Sequence, residues 1–115
     1  MNKIRLVVNN EDKRNEKEIF FIKKELQSIL NLYAKMVSNG SWKDYSFTSD
    51  TREVSFDVYQ RASEKPVLRI LKNLKPKYFN EKYLIKDKNG TILKKSENLN
   101  KLIDKTSWNK LKLVK

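Results

Sequence analysis

Residues 19–40 read IFFIKKELQSILNLYAKMVSNG, and they show the clearest periodicity in the chain. Apolar side chains recur at the spacing of one helical face: Ile19, Ile22, Leu26, Ile29, Leu30, Tyr33 and Val37. Asn39 and Gly40 follow this stripe, and glycine is a common stop just beyond the end of a helix. The pattern predicts a long amphipathic helix that ends near Gly40.

The start of this helix has two interpretations. Asn15 with Glu18 forms a possible cap, which would start the helix before Ile19. Alternatively, Ile19–Phe21 form a strand and the helix begins near Ile22. The sequence leaves both open.

The apolar face of the predicted helix is wider than a small sheet requires. Phe21, Leu32 and Met36 lie on an arc beside the main stripe. Two interpretations follow for these three residues: they fill a deep core, or they form the seam of a homodimer.

Beyond Ser41 the period changes to two, which is typical of strands. Residues 44–47 and 54–59 alternate around a turn at 49–51 and predict a hairpin. After a break at 61–66, residues 67–71 predict another strand. A second hairpin is predicted for 83–86 and 91–94, which flank Asp87-Lys88-Asn89-Gly90.

The last part of the chain predicts a second helix. Ser96 is its expected cap, and it carries Leu99, Leu102 and Ile103. Residues 108–115 fit either a strand or a continuation of this helix.

Together these elements predict an α+β fold with an N-terminal long helix, an antiparallel sheet of four to five strands and a C-terminal helix. Residues 1–18 are expected to be an N-terminal arm and polar linker, and 19–115 a single domain. The long helix should cover one face of the sheet and leave the other solvated.

Composition narrows the chemistry. The 115 residues include no His and no Cys, which excludes thiol nucleophiles, imidazole bases and disulfides. No cofactor or metal site is expected, since no motif for one appears. No signal peptide and no membrane-spanning stretch are recognisable, so the expected location is the cytoplasm.

Positive charge is concentrated in the second half of the chain. The formal net charge is +12, and residues 61–115 hold sixteen basic against five acidic side chains. Clustered basic residues attract phosphate, which makes nucleic acid a possible partner. Of the 26 basic residues 21 are Lys, however, and Arg is the preferred reader of phosphates and bases. A solvated basic face is therefore the stronger interpretation.

One candidate functional surface surrounds the first hairpin: Trp42, Asp44, Tyr45, Tyr59, Arg61, Glu64 and Arg69. Its arginines could form a fork for a carboxylate or phosphate. The alternative, which we favour, is an internal ion pair such as Arg61 with Glu64 or Asp44.

A second candidate set is a basic loop that includes aromatic residues: Lys72, Lys75, Lys77, Tyr78, Phe79 and Lys82. Aromatic rings can stack on unpaired bases while lysines follow the phosphate backbone. The more common arrangement is that Tyr78 or Phe79 anchors the loop to the core while the lysines stay in water.

Several segments resemble a domain-of-unknown-function family of small alphaproteobacterial proteins. The resemblance spans about residues 20–105 and is carried by Trp42-Lys43-Asp44-Tyr45 and by Arg61-Ala62-Ser63-Glu64, Pro66 and Arg69-Ile70. It implies no reaction, cofactor or partner. If the family has a functional surface, these two segments are where it is expected.

The expected function is a small non-catalytic cytoplasmic module that binds an unknown protein or a second copy of itself. The alternative is a nucleic-acid-binding protein that uses the basic loop and the C-terminal half. A third option is an enzyme with a pocket formed by Arg61, Tyr59 and a carboxylate.

Overall fold

A computed structural model describes residues 18–61 and 65–108. Within them the chain forms helix α1, a five-stranded sheet and helix α2. The bounds are α1 Lys23–Ser38, β1 Asp44–Ser49, β2 Glu53–Tyr59, β3 Leu68–Asn73, a 3₁₀ turn Phe79–Glu81, β4 Tyr83–Asp87, β5 Ile92–Ser96 and α2 Leu99–Lys105. The predicted α+β architecture is confirmed. Most of the predicted arm, Glu64 and the 109–115 tail lie outside the described residues.

Helix α1 takes the later of its two predicted starts. Ile22 is the N-cap residue in an extended conformation, and residues 19–21 are not in a strand. The Glu25 carboxylate accepts the Ile22 backbone N–H at 2.8 Å, which satisfies one free donor of the first turn. At the other end Gly40 adopts a φ of +83°, a left-handed conformation that glycine tolerates best.

The buried stripe of α1 consists of Glu25, Ile29, Leu32 and Met36. Leu30 and Val37, which the periodicity placed on the main apolar face, are each 40% exposed. The tertiary packing therefore rotates the buried face toward the neighbouring arc.

Because of this rotation, the structure distinguishes between the two interpretations of the arc beside the main stripe, a deep core or the seam of a homodimer. Phe21, Leu32 and Met36 are 0%, 5% and 2% exposed within a single chain. They are core residues, and the prediction that they form a dimer seam is wrong, because a seam needs side chains that reach the surface.

The sheet is antiparallel throughout, with the order β1-β2-β3-β4-β5. Both predicted hairpins are present, and Gly90 has a φ of +85° in the turn between β4 and β5. The β4–β5 pair contains a bulge at Ile85/Lys86. The meander leaves β1 and β5 as the two edge strands among the described residues.

One face of the sheet packs against the helices and forms the core. It presents Val54, Phe56 and Val58 of β2, with Ile70 and Ile85 from the next two strands. The other face is not simply solvated, as the alternation had suggested. At its centre Leu71 pairs with Leu84, and both side chains are buried.

The N-cap of helix α2 lies two residues after the predicted cap, Ser96. Asn98 is the N-cap and accepts the Lys101 backbone N–H at 3.0 Å. Ser96 instead ends β5, and its hydroxyl accepts the Asn98 backbone N–H at 3.1 Å. The amide side chain of Asn98 takes the cap because the strand holds Ser96 in the sheet.

Candidate functional site

A buried polar cluster lies where the start of α1 meets the sheet. Lys72 extends from β3 on the core side, and its ammonium is within 3.0 Å of three oxygens. It donates to the Phe20 carbonyl at 3.0 Å and to Glu25 Oε1 at 2.8 Å, and it contacts Glu18 Oε1 at 2.6 Å. All three ammonium hydrogens thus have an acceptor.

The same cluster connects α1 to β4. Glu25, which is 8% exposed, accepts from Ile22 and Lys72 on Oε1 and from the Tyr83 hydroxyl on Oε2. We name Glu18, Glu25, Lys72 and Tyr83 the charge cluster. Because its bonds join the chain before α1 to two adjacent strands, it fixes where the helix begins over the sheet.

The electrostatics of the charge cluster follow from burial and from the lysine. Burial alone raises the pKa of the Glu18 carboxyl, but the hydrogen bond and attraction of Lys72, with Lys82 beyond, hold it below its usual value. Burial raises the pKa of the Tyr83 phenol, and its hydrogen bond to Glu25 raises it further. Tyr83 therefore remains a neutral donor over the physiological range.

Lys72 was predicted to be an anion contact on an exposed loop, and this prediction is wrong. β3 extends to Asn73, so Lys72 lies on the same face of this strand as the core residues Leu68 and Ile70. Its side chain is 1% exposed and already paired. An approaching phosphate cannot reach it.

The raised pKa of Tyr83 gives a test by alkaline titration. A phenol with a raised folded-state pKa stabilises the fold below its ordinary pKa of about 10, and this contribution is lost as pH rises above that value. We expect the phenolate absorbance of native protein near pH 10 to be unchanged in Tyr83→Phe. The amplitude lost in this variant should appear only with unfolding at higher pH. A decrease near pH 10 would show that Tyr83 titrates normally.

A second polar network lies on the opposite face of the sheet. Arg69 Nε donates to Asp57 Oδ1 at 3.0 Å, and its guanidinium also reaches the Ser55 hydroxyl at 3.0 Å. Thr48 donates to the other Asp57 oxygen at 2.8 Å. Asp57 is 3% exposed, so Arg69 compensates a buried charge. Arg69 and Asp57 thus form an internal ion pair, whereas Glu64, one of the two partners expected for Arg61, lies outside the described residues.

The remaining residues of the predicted functional surface do not lie on one face. Trp42 is buried and packs edge-on against Trp108, with ring centroids 5.8 Å apart. Tyr45 lies on the helix side of β1, whereas Asp44 pairs with Tyr59 on the other side. Arg61 is exposed, at the end of the described segment. The sequence set therefore combines core, helix-side and opposite-face residues.

Exposed aromatic side chains cover the helix side of β1. Tyr45 and Phe47 are 40% and 36% exposed, and their rings lie 5.7 Å apart. Tyr33 of α1 contacts Tyr45 at 4.8 Å, and Phe20 contacts Phe47 at 5.4 Å. We name these four residues the aromatic strip. Leu30 and Val37 flank Tyr33 on the same side of α1 and extend the apolar surface.

The outer edge of β1 directs a row of backbone groups away from the rest of the sheet. The Asp50 N–H donates to the Glu53 carbonyl at 2.9 Å, which sets the hydrogen-bonding phase of the β1–β2 ladder. In an antiparallel pair the bonding direction alternates, so the N–H and C=O groups of Tyr45, Phe47 and Ser49 point away from β2. No described strand pairs with them.

The two edges of the sheet differ in protection. β5 carries Lys94 and Lys95 and pairs through a bulge, and both features discourage further strands. β1, with the sequence DYSFTS, has neither a lysine nor a proline, and its burial pattern is almost entirely exposed. Among the described strands β1 is thus the edge open to addition.

The basic loop before β4 projects its aromatic rings into solvent. Tyr78 is 57% exposed and Phe79 74% exposed, so neither anchors the loop to the core. The Lys77 ammonium lies 5.7 Å from the centre of the Tyr78 ring. Lys75 is exposed as well, whereas Lys82 turns back toward Tyr83 and Glu18. Four of the six predicted contacts therefore remain accessible: Lys75, Lys77, Tyr78 and Phe79.

An open groove of about 520 Å³ separates α1 from α2. Its lining includes Ser28, Lys35, Asn39, Asn100 and Asp104, and Ser28 donates to Asn100 across it at 2.7 Å. Tyr59 and Arg61, which the enzyme hypothesis required, are not part of this lining. Nor do three acidic side chains converge as metal ligands anywhere within 18–61 and 65–108.

The charge cluster was not predicted, although the sequence contains a signal for it. Glu25 lies four residues before Ile29 on the buried stripe, and Lys72 continues the alternation of Leu68 and Ile70. Opposite charges that each occupy an apolar position of their own element indicate a buried pair.

Fold and surfaces together define a small α+β domain, a helix-covered antiparallel meander whose β1 edge is left open by the strands of 18–61 and 65–108. A family model described as protein of unknown function (DUF2794) matches residues 19–103, and the chain belongs to this family. No curated protein and no solved structure matches the chain. Within the described part of the chain, no helix has the length and apolar character that crossing a membrane requires.

Proposed function

We propose that this protein is a non-catalytic interaction module that binds an extended protein segment along β1. The observation that carries the proposal is the β1 edge beside the aromatic strip, which no strand in the described part of the chain covers. The module is assigned to the cytoplasm, which the absence of cysteine favours, because small secreted domains depend on disulfides.

The geometry supports strand addition in two ways. The backbone groups of Tyr45, Phe47 and Ser49 supply hydrogen bonds that do not depend on the partner's sequence. The rings of Tyr45 and Phe47, with Leu30 and Val37 beyond them, supply an apolar surface for alternate side chains of the added strand.

The test uses extended peptides selected from a random display library on the immobilised full chain. We expect a selected peptide to shift the backbone amide resonances of Tyr45, Phe47 and Ser49. Ser49→Lys should weaken its binding at least about ten-fold, since an edge lysine opposes strand addition.

Ile92→Lys is the matched control, because it places a lysine on the opposite edge at a side chain that is 48% exposed. It should bind the selected peptide like the original chain. Shifts confined to another surface, or equal binding by both variants, would contradict the proposal.

Single-stranded nucleic acid is a second candidate ligand, for a separate reason. Phe79 and Tyr78 are the two most exposed aromatic side chains in the described structure, and Lys75 and Lys77 lie beside them. Exposed rings next to lysines provide stacking and phosphate contacts without base selectivity.

Binding of a fluorescent single strand at low and at about 150 mM salt tests this candidate. If the loop is the site, Lys75→Glu/Lys77→Glu should abolish binding at the higher salt, and Phe79→Ala should weaken it. Lys101→Glu/Lys105→Glu on α2 has the same charge change and is the control. Binding that vanishes with salt, or that responds equally to both double variants, would identify a solvated basic surface.

A further inference from the structure

The proposed function leaves the partner strand unnamed. Resting on that function, we infer that the strand added to β1 is β1 of a second copy of this chain. The two strands run antiparallel around a two-fold axis that passes beside Ser46. They join two five-stranded sheets into one, with both α1 helices on the same side.

Charge distribution favours a second copy at this edge. Residues 1–60 hold ten basic and nine acidic side chains, so β1 belongs to the nearly neutral half of the chain. The excess of basic residues lies in 61–115, toward β5 and its lysines. Two copies meeting at β1 keep their strongly positive parts apart, whereas pairing at β5 would bring lysines together.

The register follows from the backbone and from Asp44. Only Tyr45, Phe47 and Ser49 of β1 direct backbone groups outward, so the hydrogen-bonded pairs must join these residues. If the axis is centred on Ser46, Tyr45 pairs with Phe47 of the second copy, and Phe47 pairs with Tyr45 of the second copy. Centring it on Phe47 places Asp44 opposite Asp50 of the second copy, two carboxylates directly across from each other. The Ser46-centred register avoids that repulsion and forms two aromatic pairs.

The surface of α1 agrees with this arrangement. Tyr33 contacts Tyr45 on the side of α1 that lies over β1, and the exposed residues Leu30 and Val37 lie one helical turn before and after Tyr33. In the two-fold arrangement, Leu30, Tyr33 and Val37 of one copy face the same residues of the second copy, with the two aromatic strips between them. A two-fold contact thus covers the exposed apolar side chains of both the helix and the strand.

The test uses cysteine cross-linking, which is unambiguous because the chain has no cysteine. Ser46→Cys places two thiols opposite each other at a non-hydrogen-bonded pair. The Cα separation there is about 4.5 Å, within the range of a disulfide. Thr48→Cys is the control on the same face of β1, where the axis separates the two thiols by about 14 Å.

Under mild oxidation at micromolar concentration we expect Ser46→Cys to form covalent dimers at least about ten-fold faster than Thr48→Cys. Sedimentation equilibrium of the unmodified chain should show a dimer mass, and Ser46→Lys should shift it to the monomer. Equal cross-linking rates, faster cross-linking of Thr48→Cys, or a monomer mass at about 100 µM would overturn the inference.

This outcome is separable from that of the proposed function. A monomer whose β1 amides still respond to selected peptides overturns the second copy as partner and leaves the interaction module intact. A monomer that binds no peptide at β1 overturns both.

Discussion

Lys72→Met is expected to lower the free energy of unfolding by about 3–5 kcal/mol, because it leaves a buried carboxylate without its counter-charge. Glu25 is 8% exposed and would keep only the donors from Ile22 and Tyr83. For a domain of this size the loss corresponds to a decrease in melting temperature on the order of 15 °C or more. Urea and thermal unfolding followed by circular dichroism measure it.

Two further variants separate charge from packing. Lys75→Met removes an exposed lysine and should change stability by less than about 0.5 kcal/mol. Glu25→Gln/Lys72→Met should recover most of the stability, since the amide oxygen still accepts from the Ile22 N–H and the amide NH2 donates to the Tyr83 hydroxyl oxygen, without needing a cation. A double variant as unstable as the single one would indicate lost packing instead.

Phe21→Ala should produce an effect of similar size, a loss of about 3–5 kcal/mol for removing a fully buried ring. The Phe21 side chain is 0% exposed, and its ring contacts those of Phe20 and Phe47 at 5.6 and 6.0 Å. Removing it opens a cavity beneath the aromatic strip. Chemical denaturation provides the measurement.

Phe79→Ala is the matched control, because the same ring is removed where it is 74% exposed. Its stability should remain within about 0.5 kcal/mol of the original chain. If Phe21→Ala changed the association state with little loss of stability, the seam interpretation of Phe21 would have to be restored.

Local patterns predicted most of the elements. The helix stop at Gly40 and the turn at Gly90 follow from local backbone chemistry, and both glycines have positive φ. The alternation around 44–59 predicted the first hairpin, because one face of each strand packs on the core and the other does not. These features depend on neighbours in sequence, so the sequence alone was sufficient.

Patterns were less informative about which residues are buried. Leu30 and Phe21 are both apolar and both near a plausible stripe, yet one is 40% exposed and the other fully buried. The difference depends on how α1 is rotated over the sheet, which the charge cluster and the aromatic contacts determine. A periodicity of 3.6 residues identifies the apolar face of a helix, but it does not show which edge of that face is buried.

The candidate site residues also differ in whether the sequence alone placed them correctly. The sequence identified the exposed basic loop because four of its six residues need only remain in a polar loop to be accessible. It misassigned Lys72: the alternation with Leu68 and Ile70 indicates a core position, but the sequence does not show that Glu25, 47 positions away, lies 2.8 Å from it. It also combined Tyr45 with Arg69, which lie on opposite faces of the sheet.

By itself, the sequence determined the fold class, the order of the elements, the absence of thiol and imidazole chemistry and the excess of positive charge in the second half. Each of these follows from composition or from local periodicity. The tertiary structure alone decided that β1 is an edge that no other described strand covers, that Lys72 is a buried partner of two carboxylates, and that Tyr78 and Phe79 point into solvent. Those properties depend on which elements lie side by side, and that arrangement arises only when distant parts of the chain pack together.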